Sequence, residues 1–436
     1  MDRASLALRS ALLLALAVAS PAAADPLATF GAGARAAGMA GAMVAEVSGW
    51  AGAVYNPAGV ARTADVEAAV GWGYGVTRLQ INGSGAGVTS PHGTTLGLDV
   101  PVALGPLRVA FGLALYLPDQ FLARIATAPA AEPRFLLLAD EPDRIVVSPV
   151  LAVRLGRWLS VGGGATLLAD AAGSGLDFQV GVVGGEKVGS AALDVSLPTR
   201  GAPLLGVLVE PRPWLRAGLM YRGALDLRVR LDILAHVNVV DAVTGDALIA
   251  LRAARLYTPQ RVAFGLAADV LPSLTLAAEL AWENWSAEGG GVPDLRLLVA
   301  LSASPSLVQA QFPLDNFRDV WIPRLGLEYR RRAGRHLALA GRLGYAFQRS
   351  PVPDQVGLTS YADNDRHLVA VGAGLAIEPW GRFAAVLPKP LRLDVALGWQ
   401  ELVPRTTAKD PSVLPGSGFT SGGRIVHLMA TLEARF

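Results

Sequence analysis

The chain has 436 residues, 52% of them hydrophobic, with no cysteine and a formal net charge of +2. Near-neutrality gives no electrostatic case for a nucleic-acid partner, and the lack of cysteine excludes a disulfide framework and thiolate chemistry. A mean hydropathy of +0.39 invites a membrane reading, yet beyond the N-terminus no run of about twenty apolar residues is free of charge or proline, so membrane helices cannot carry it.

Arg3 and Arg9 precede an apolar run at 11–20, and Pro21-Ala22-Ala23-Ala24 supplies small residues for cleavage. Residues 1–24 therefore read as a removable secretory signal peptide. Residues 25–64 follow, rich in Gly and Ala. Their small side chains permit close packing but are too poor in bulk to build a core of their own. Such a segment has to lodge in a cavity supplied by the rest of the chain.

From residue 65 onward the chain alternates with the period of a β-strand, whose successive side chains point to opposite faces. At 65–77, Val66, Val70, Trp72, Tyr74 and Val76 oppose Glu67, Gly71, Gly73, Gly75 and Thr77. The pattern recurs at 107–117, 261–270, 274–283 and 391–400. It closes at 424–436, where Val426, Leu428, Ala430, Leu432, Ala434 and Phe436 share one parity. The series comes to about fourteen strands, an even number within the range of single-chain membrane barrels. Very short connections alternate with long ones (78–93, 118–144, 170–202, 230–257, 286–320, 348–365 and 401–423), and 378–390 is the one longer link on the short side. Short periplasmic turns and long external loops are the asymmetry of outer-membrane barrels. A soluble β-sandwich also alternates; the signal peptide, the loop asymmetry and the terminal Phe436 decide for the barrel. Trp158, Trp214, Trp282, Trp285, Trp321 and Trp399 lie near strand ends, as interfacial girdles require. The expected fold is an all-β transmembrane antiparallel β-barrel spanning 65–436.

Chemistry-bearing constellations are sparse. The five histidines have no metal-ligand spacing. Gly162-Gly163-Gly164 lies inside an alternating strand and lacks the Gly-Lys-Ser/Thr ending of a phosphate loop, and Gly173-Ser174-Gly175 lacks the nucleophile-elbow spacing. No metal, no cofactor and no catalysis are expected. The charges Arg154, Arg216, Arg261, Glu279, Arg324, Glu328, Arg342 and Arg392 share the lumen parity. The simplest reading is mutual neutralisation and anchoring of the N-terminal segment. The sharper one is that Arg324, Arg342 or Arg216 receives a ligand carboxylate through a bidentate bond.

Phe30–Arg62 (FGAGARAAGMAGAMVAEVSGWAGAVYNPAGVAR), with Gly31, Gly33, Gly38, Gly41 and the Asn56-Pro57-Ala58 signature, resembles the hatch of the FadL/TodX-type outer-membrane family, which moves long-chain fatty acids and other hydrophobic compounds. AELAWENWS at 278–286, NFRDVWIPRLGLEYR at 316–330, GYAFQRSPVPD at 344–354 and Asp363-Asn364-Asp365-Arg366 are similar to its later segments, in the right order. The resemblance implies fourteen strands plugged by residues 25–64, in the outer membrane of a Gram-negative bacterium. It implies a monomer that binds a hydrophobic small molecule and passes it on by hatch rearrangement and lateral release near the third strand. Gly112, with Pro101 and Pro149 in the flanking strands, is the candidate exit, since proline removes a ladder donor; bulges that merely curve the wall are the plainer reading. Outer-membrane lipids and the barrel assembly machinery are expected partners, the latter through Phe436. Secretion-associated relatives share the glycine-rich opening and the NPAG signature, so a docking or shuttle component is the alternative function.

Overall fold

The computed structural model describes residues 31–436 except 89, 105–106, 120–132, 140–144, 169–170, 180–181, 184–185, 188, 198, 240–242, 289–294, 302–303, 311–315, 356–358, 380–387 and 410–417; side chains are also left aside at 136, 139, 171–197, 226–256, 288, 295–301 and 304–310. The predicted signal peptide and the start of the predicted hatch, residues 1–30, lie outside the described residues.

Fourteen antiparallel strands close on themselves: β1 Glu67–Ile81, β2 His92–Leu104, β3 Leu107–Pro118, β4 Val146–Leu155, β5 Leu159–Leu168, β6 Arg200–Arg212, β7 Leu215–Arg222, β8 Arg261–Leu271, β9 Leu274–Glu283, β10 Val320–Arg332, β11 Leu337–Gln348, β12 Arg366–Ile377, β13 Leu391–Thr407 and β14 Phe419–Arg435. Each pairs with its sequence neighbour, and β14 pairs with β1 from Glu67↔Arg435 to Ile81↔Ser421. Closure removes the unpaired edges that lipid cannot satisfy. The end that bears the short turns and Phe436 is the periplasmic one.

Parity works as the sequence predicts. Val70, Leu151, Leu219, Phe264, Leu325, Val371 and Leu397 project outward and are exposed, as a lipid-facing surface requires. Trp158, Trp214, Tyr329 and Phe436 ring the periplasmic end; Trp72, Tyr74, Trp321, Tyr345 and Trp399 ring the external one. Trp285 corrects the expected girdle. β9 ends at Glu283, the chain turns into a short 3-10 helix at Trp285–Glu288, and parity is lost there. Trp285 is consequently buried inside the barrel at 4% exposure. At the far end, Phe436 donates its backbone N–H to the Val66 carbonyl at 2.9 Å and its half-exposed ring faces outward. Deleting Phe436 should cut the yield of heat-modifiable barrel in the membrane fraction severalfold; unchanged yield and gel mobility would remove it as an assembly signal.

A second correction concerns the long connections. Those after β5, β7 and β9 were expected to be loops, but carry strands Ala171–Gln179, Gly189–Leu197, Leu225–Val239, Val243–Thr258, Leu295–Leu301 and Ser304–Ala310. They form a separate six-stranded sheet beside the barrel sheet. Three neighbouring external connections each return as hairpins, so their free edges can pair with one another rather than with solvent.

Candidate functional site

Residues 31–63 fill the barrel interior. The chain enters through Gly31 and Gly33, both with positive φ (87° and 85°), makes helix α1 (Ala34–Gly38), reverses at Gly41 (φ 75°) and ends in the 3-10 turn Pro57–Arg62. The wall is thinned to receive it. A Cβ on Gly97 would fall on Trp50, on Gly162 on the Pro57 backbone, on Gly206 on the Asn56 amide, and on Gly344 on the Met39–Ala40 backbone. Gly38 lies so close to Gly372 that a Cβ on Gly38 would come within 3.0 Å of the Gly372 Cα. Gly97, Gly162, Gly206 and Gly344 thus have one spatial cause, the close approach of the plug, which parity alone could not reveal.

The Asn56-Pro57-Ala58 signature fastens this plug. Asn56, fully buried, donates its amide to the carbonyls of Val44 in the plug (2.8 Å) and Val207 in β6 (3.2 Å). Its own oxygen accepts the Ala58 N–H at 3.1 Å and caps the turn. Pro57 takes the first position of that turn, where its missing N–H costs nothing.

On the periplasmic side an alternating chain of charges crosses the lumen. Asp394 pairs with Arg342 at 2.6 Å, Arg342 with Glu328 at 2.6 Å, and Glu328 with Arg35 of α1 at 2.9 Å. Arg35 continues to Glu46 of the plug at 2.7 Å, Glu46 to Arg216 at 2.7 Å, and Arg216 to Asp269 at 2.8 Å. This strap joins β13, β11 and β10 to β7 and β8 through the plug. It borders a vestibule of about 440 Å³. Of the three arginines weighed as carboxylate receptors, Arg216 and Arg342 lie here, each already held between two carboxylates.

Arg324 lies on the other, external side of the plug, against a cavity of about 120 Å³. Tyr55 and Val44 of the plug form its floor, Met220, Ile322 and Leu368 its wall, and Leu137 and Trp285 its upper lining. Trp285 meets Tyr257 edge-on at 6.2 Å and donates its indole N–H to Glu283 at 3.1 Å. Arg324 and Arg261 both bond Glu279, at 2.8 and 2.9 Å, and Glu279 also accepts the plug N–H groups of Met43 and Val44. The 278–286 segment (AELAWENWS) therefore serves two ends, anchoring the plug through Glu279 and walling the cavity with Trp285.

Above the cavity, the connection after β11 is clamped. Arg405 donates to the Val352 and Asp363 carbonyls (2.9 and 3.1 Å) and bonds Asp354 at 2.7 Å. Asn364 staples the carbonyls of Val403 and Ser421 (2.8 and 3.1 Å). Tyr361-Ala362 pairs in parallel with Arg134-Phe135 of the connection after β3. The SPVPD and DNDR stretches are thereby accounted for as a rigid cover. Burial pushes the Asp363 carboxyl up, with Arg366 opposing.

The predicted exit region is continuously paired through β3. Gly112 lies between Asp99 and Val150, and Pro101 opposite Ala110, with no register shift in either ladder. The lapse comes one ladder later. Between β4 and β5 pairing skips Ser148 and Pro149, from Val147↔Leu167 to Val150↔Gly164. A Cβ on Gly112 would press on Val60 of the plug as well as on Val150. Gly112 is therefore part of the plug seat.

A family model described as outer membrane protein transport protein (OMPP1/FadL/TodX) matches residues 13–382. No curated protein matches the chain. Among solved structures, the chain is similar to a Pseudomonas aeruginosa FadL homologue (16% identity, TM-score 0.61, covering 93% of this chain and 98% of that one). It is similar also to the toluene transporters TodX of P. putida (16%, TM-score 0.53, 93% and 99%) and TbuX of Ralstonia pickettii (15%, TM-score 0.51, 93% and 99%). At these identities the likeness is one of fold.

Proposed function

Because the chain belongs to the OMPP1/FadL/TodX family of outer-membrane transport proteins, we propose that it takes up a neutral hydrophobic molecule about the size of a single substituted aromatic ring. The observation that carries this is the cavity between plug and cover. Its roughly 120 Å³ is close to the 150 Å³ cavity that holds benzene in another protein and well short of ordinary drug-sized sites. Apolar side chains such as Val44, Leu137, Met220, Ile322 and Leu368 and the rings of Tyr55 and Trp285 line it, with the charged groups of Arg222, Arg261, Arg324, Arg366, Glu279 and Glu283 set among them. Arg324 is already matched by Glu279, so a ligand carboxylate there would have to compete with the same carboxylate that accepts the plug N–H groups of Met43 and Val44. The relatives called toluene transporters accord with this size class.

In this reading the molecule binds above the plug while the strap and Asn56 keep the lumen shut. Release follows a local shift of the plug. The turn Pro57–Arg62 packs against β3 to β6, beside the place where β4 and β5 leave Ser148 and Pro149 unpaired. Movement of that turn would open the cavity toward this weak seam and the lipid beyond it.

Met220, 5% exposed and on the cavity wall, offers the test. Met220→Trp should fill the space, cost about 1–3 kcal/mol of packing, and weaken binding of toluene to the detergent-extracted barrel at least about tenfold. Titrating a sixteen-carbon fatty acid alongside separates the substrate classes. Tighter fatty-acid binding by the unaltered protein, or full toluene affinity in the variant, would overturn the assignment.

A further inference from the structure

The periplasmic mouth holds another recess, which transport as described does not use. It measures about 480 Å³ and is lined by Arg62, Arg108, Arg154 and Arg157 with Ala103 and Leu107. Arg108 and Arg154 stand directly opposite each other in the β3–β4 ladder. Cross-strand neighbours have Cβ atoms about 4.5–5.5 Å apart, and like charges so placed repel.

The nearby carboxylate is already engaged. Glu210 receives Arg154 at 2.8 Å and Arg62 at 3.3 Å. Arg154 also donates to the Arg157 carbonyl at 2.8 Å, tying the β4–β5 turn to the recess. Among the described residues, no carboxylate pairs with Arg108 or Arg157, and the undescribed pair at 105–106 is Gly-Pro. Four guanidiniums thus line one concave, water-accessible site, and Glu210 engages two of them.

We propose that this recess binds an oxyanion, a phosphate or carboxylate group carried on a lipid head or free in the periplasm. Guanidinium forks suit carboxylate and phosphate oxygens because two parallel N–H bonds match two oxygens. Arg108 and Arg157 supply the free forks, while Leu107 offers an apolar rail for the attached chain. Level also matters. Leu107 is 41% exposed and Trp158, in the same turn as Arg157, is 56% exposed. An exposed Trp at a barrel end marks the head-group region. The recess is therefore level with the head groups of the inner leaflet. The oxyanion could come from an inner-leaflet glycerophospholipid or from a free anion in the periplasm, and the proposal stands whatever the cargo is.

The experiment uses the full mature chain in non-ionic detergent, titrated calorimetrically with short-chain phosphatidylglycerol, short-chain phosphatidylcholine and inorganic phosphate. The comparison is Arg108→Gln/Arg157→Gln, which leaves the Glu210 pairs intact; heat-modifiable mobility checks that it folds. Arg157→Gln alone, in an exposed turn, stands in if the double variant does not. Saturable binding of phosphatidylglycerol, tighter than of phosphatidylcholine and weakened about tenfold or more in the variant, is the expected result, with added salt weakening it too. Equal response to phosphate and phosphatidylglycerol assigns a free-anion site; response to phosphatidylglycerol alone assigns the lipid. No saturable binding of either, or unchanged affinity in the folded variant, overturns the proposal.

Discussion

Replacing Arg35 with Met should turn a shut barrel into one that leaks polar solutes. Arg35 is the link at which the charge strap passes from wall to plug, bonding Glu328 at 2.9 Å and Glu46 at 2.7 Å. Its removal divides the strap into two halves, each with two carboxylates around one guanidinium. The carboxylates then repel where they previously shared a cation. Losing one partner of a buried pair costs about 3–5 kcal/mol, whereas surface pairs are worth under about 1 kcal/mol. With its side chain 25% exposed and Glu328 at 2%, Arg35 falls between, at about 2 kcal/mol. That raises the population of the displaced plug roughly thirtyfold. Planar-bilayer recordings should show frequent high-conductance openings in Arg35→Met and few in the parent. Arg330→Ala serves as control, since Arg330 meets Glu328 only at 3.5 Å with its side chain half exposed. Equal opening frequencies in Arg35→Met and the parent would mean that the strap does not seat the plug.

Gly206→Val should unseat the same plug from the wall side while leaving the barrel folded. Position 206 lies inside the lumen face of β6, and a Cβ there would fall on the Asn56 side-chain oxygen and crowd Pro57. Asn56 cannot retreat. Its amide is held by Val44 and Val207, and its oxygen caps the turn at Ala58. Moving it leaves buried carbonyls and an N–H without partners, at about 1–3 kcal/mol each. The strand itself gains from a β-branched residue, so the barrel should still show heat-modifiable mobility. The plug, by contrast, should become accessible to protease and the conductance should rise. Asn56→Ala should act in the same direction, by losing the bonds rather than by a clash. A Gly206→Val barrel as tight and protease-resistant as the parent would place the plug's anchorage elsewhere.

Most of the barrel was legible in the sequence because a strand's period of two is a local property. Val70, Trp72 and Tyr74 against Gly71 and Gly73 reveal a two-faced strand without knowledge of its neighbours. A short connection such as Pro272-Ser273 or a long one such as 348–365 reveals which end it occupies. The same locality explains the failures. Trp285 follows an alternating strand, but the chain has already turned, and nothing within a few residues announces the turn. The hairpins after β5, β7 and β9 carry strand patterns, yet their pairing into a separate sheet depends on three connections lying side by side.

Fourteen strands, two faces, the periplasmic end and a small-residue segment in need of a cavity were determined by the sequence itself, since alternation, turn length and side-chain volume are read residue by residue. Only the tertiary structure decided which lumen charges meet. Arg35 and Glu328, or Asn56 and Val207, are remote in the chain, and their pairing follows from barrel closure around the plug. The same closure separated arginines that look alike in sequence: Arg324 beside the apolar cavity, Arg216 and Arg342 within the strap, Arg108 facing Arg154 at the mouth. A guanidinium's role is set by the carboxylates and space around it, and those are brought there by the fold.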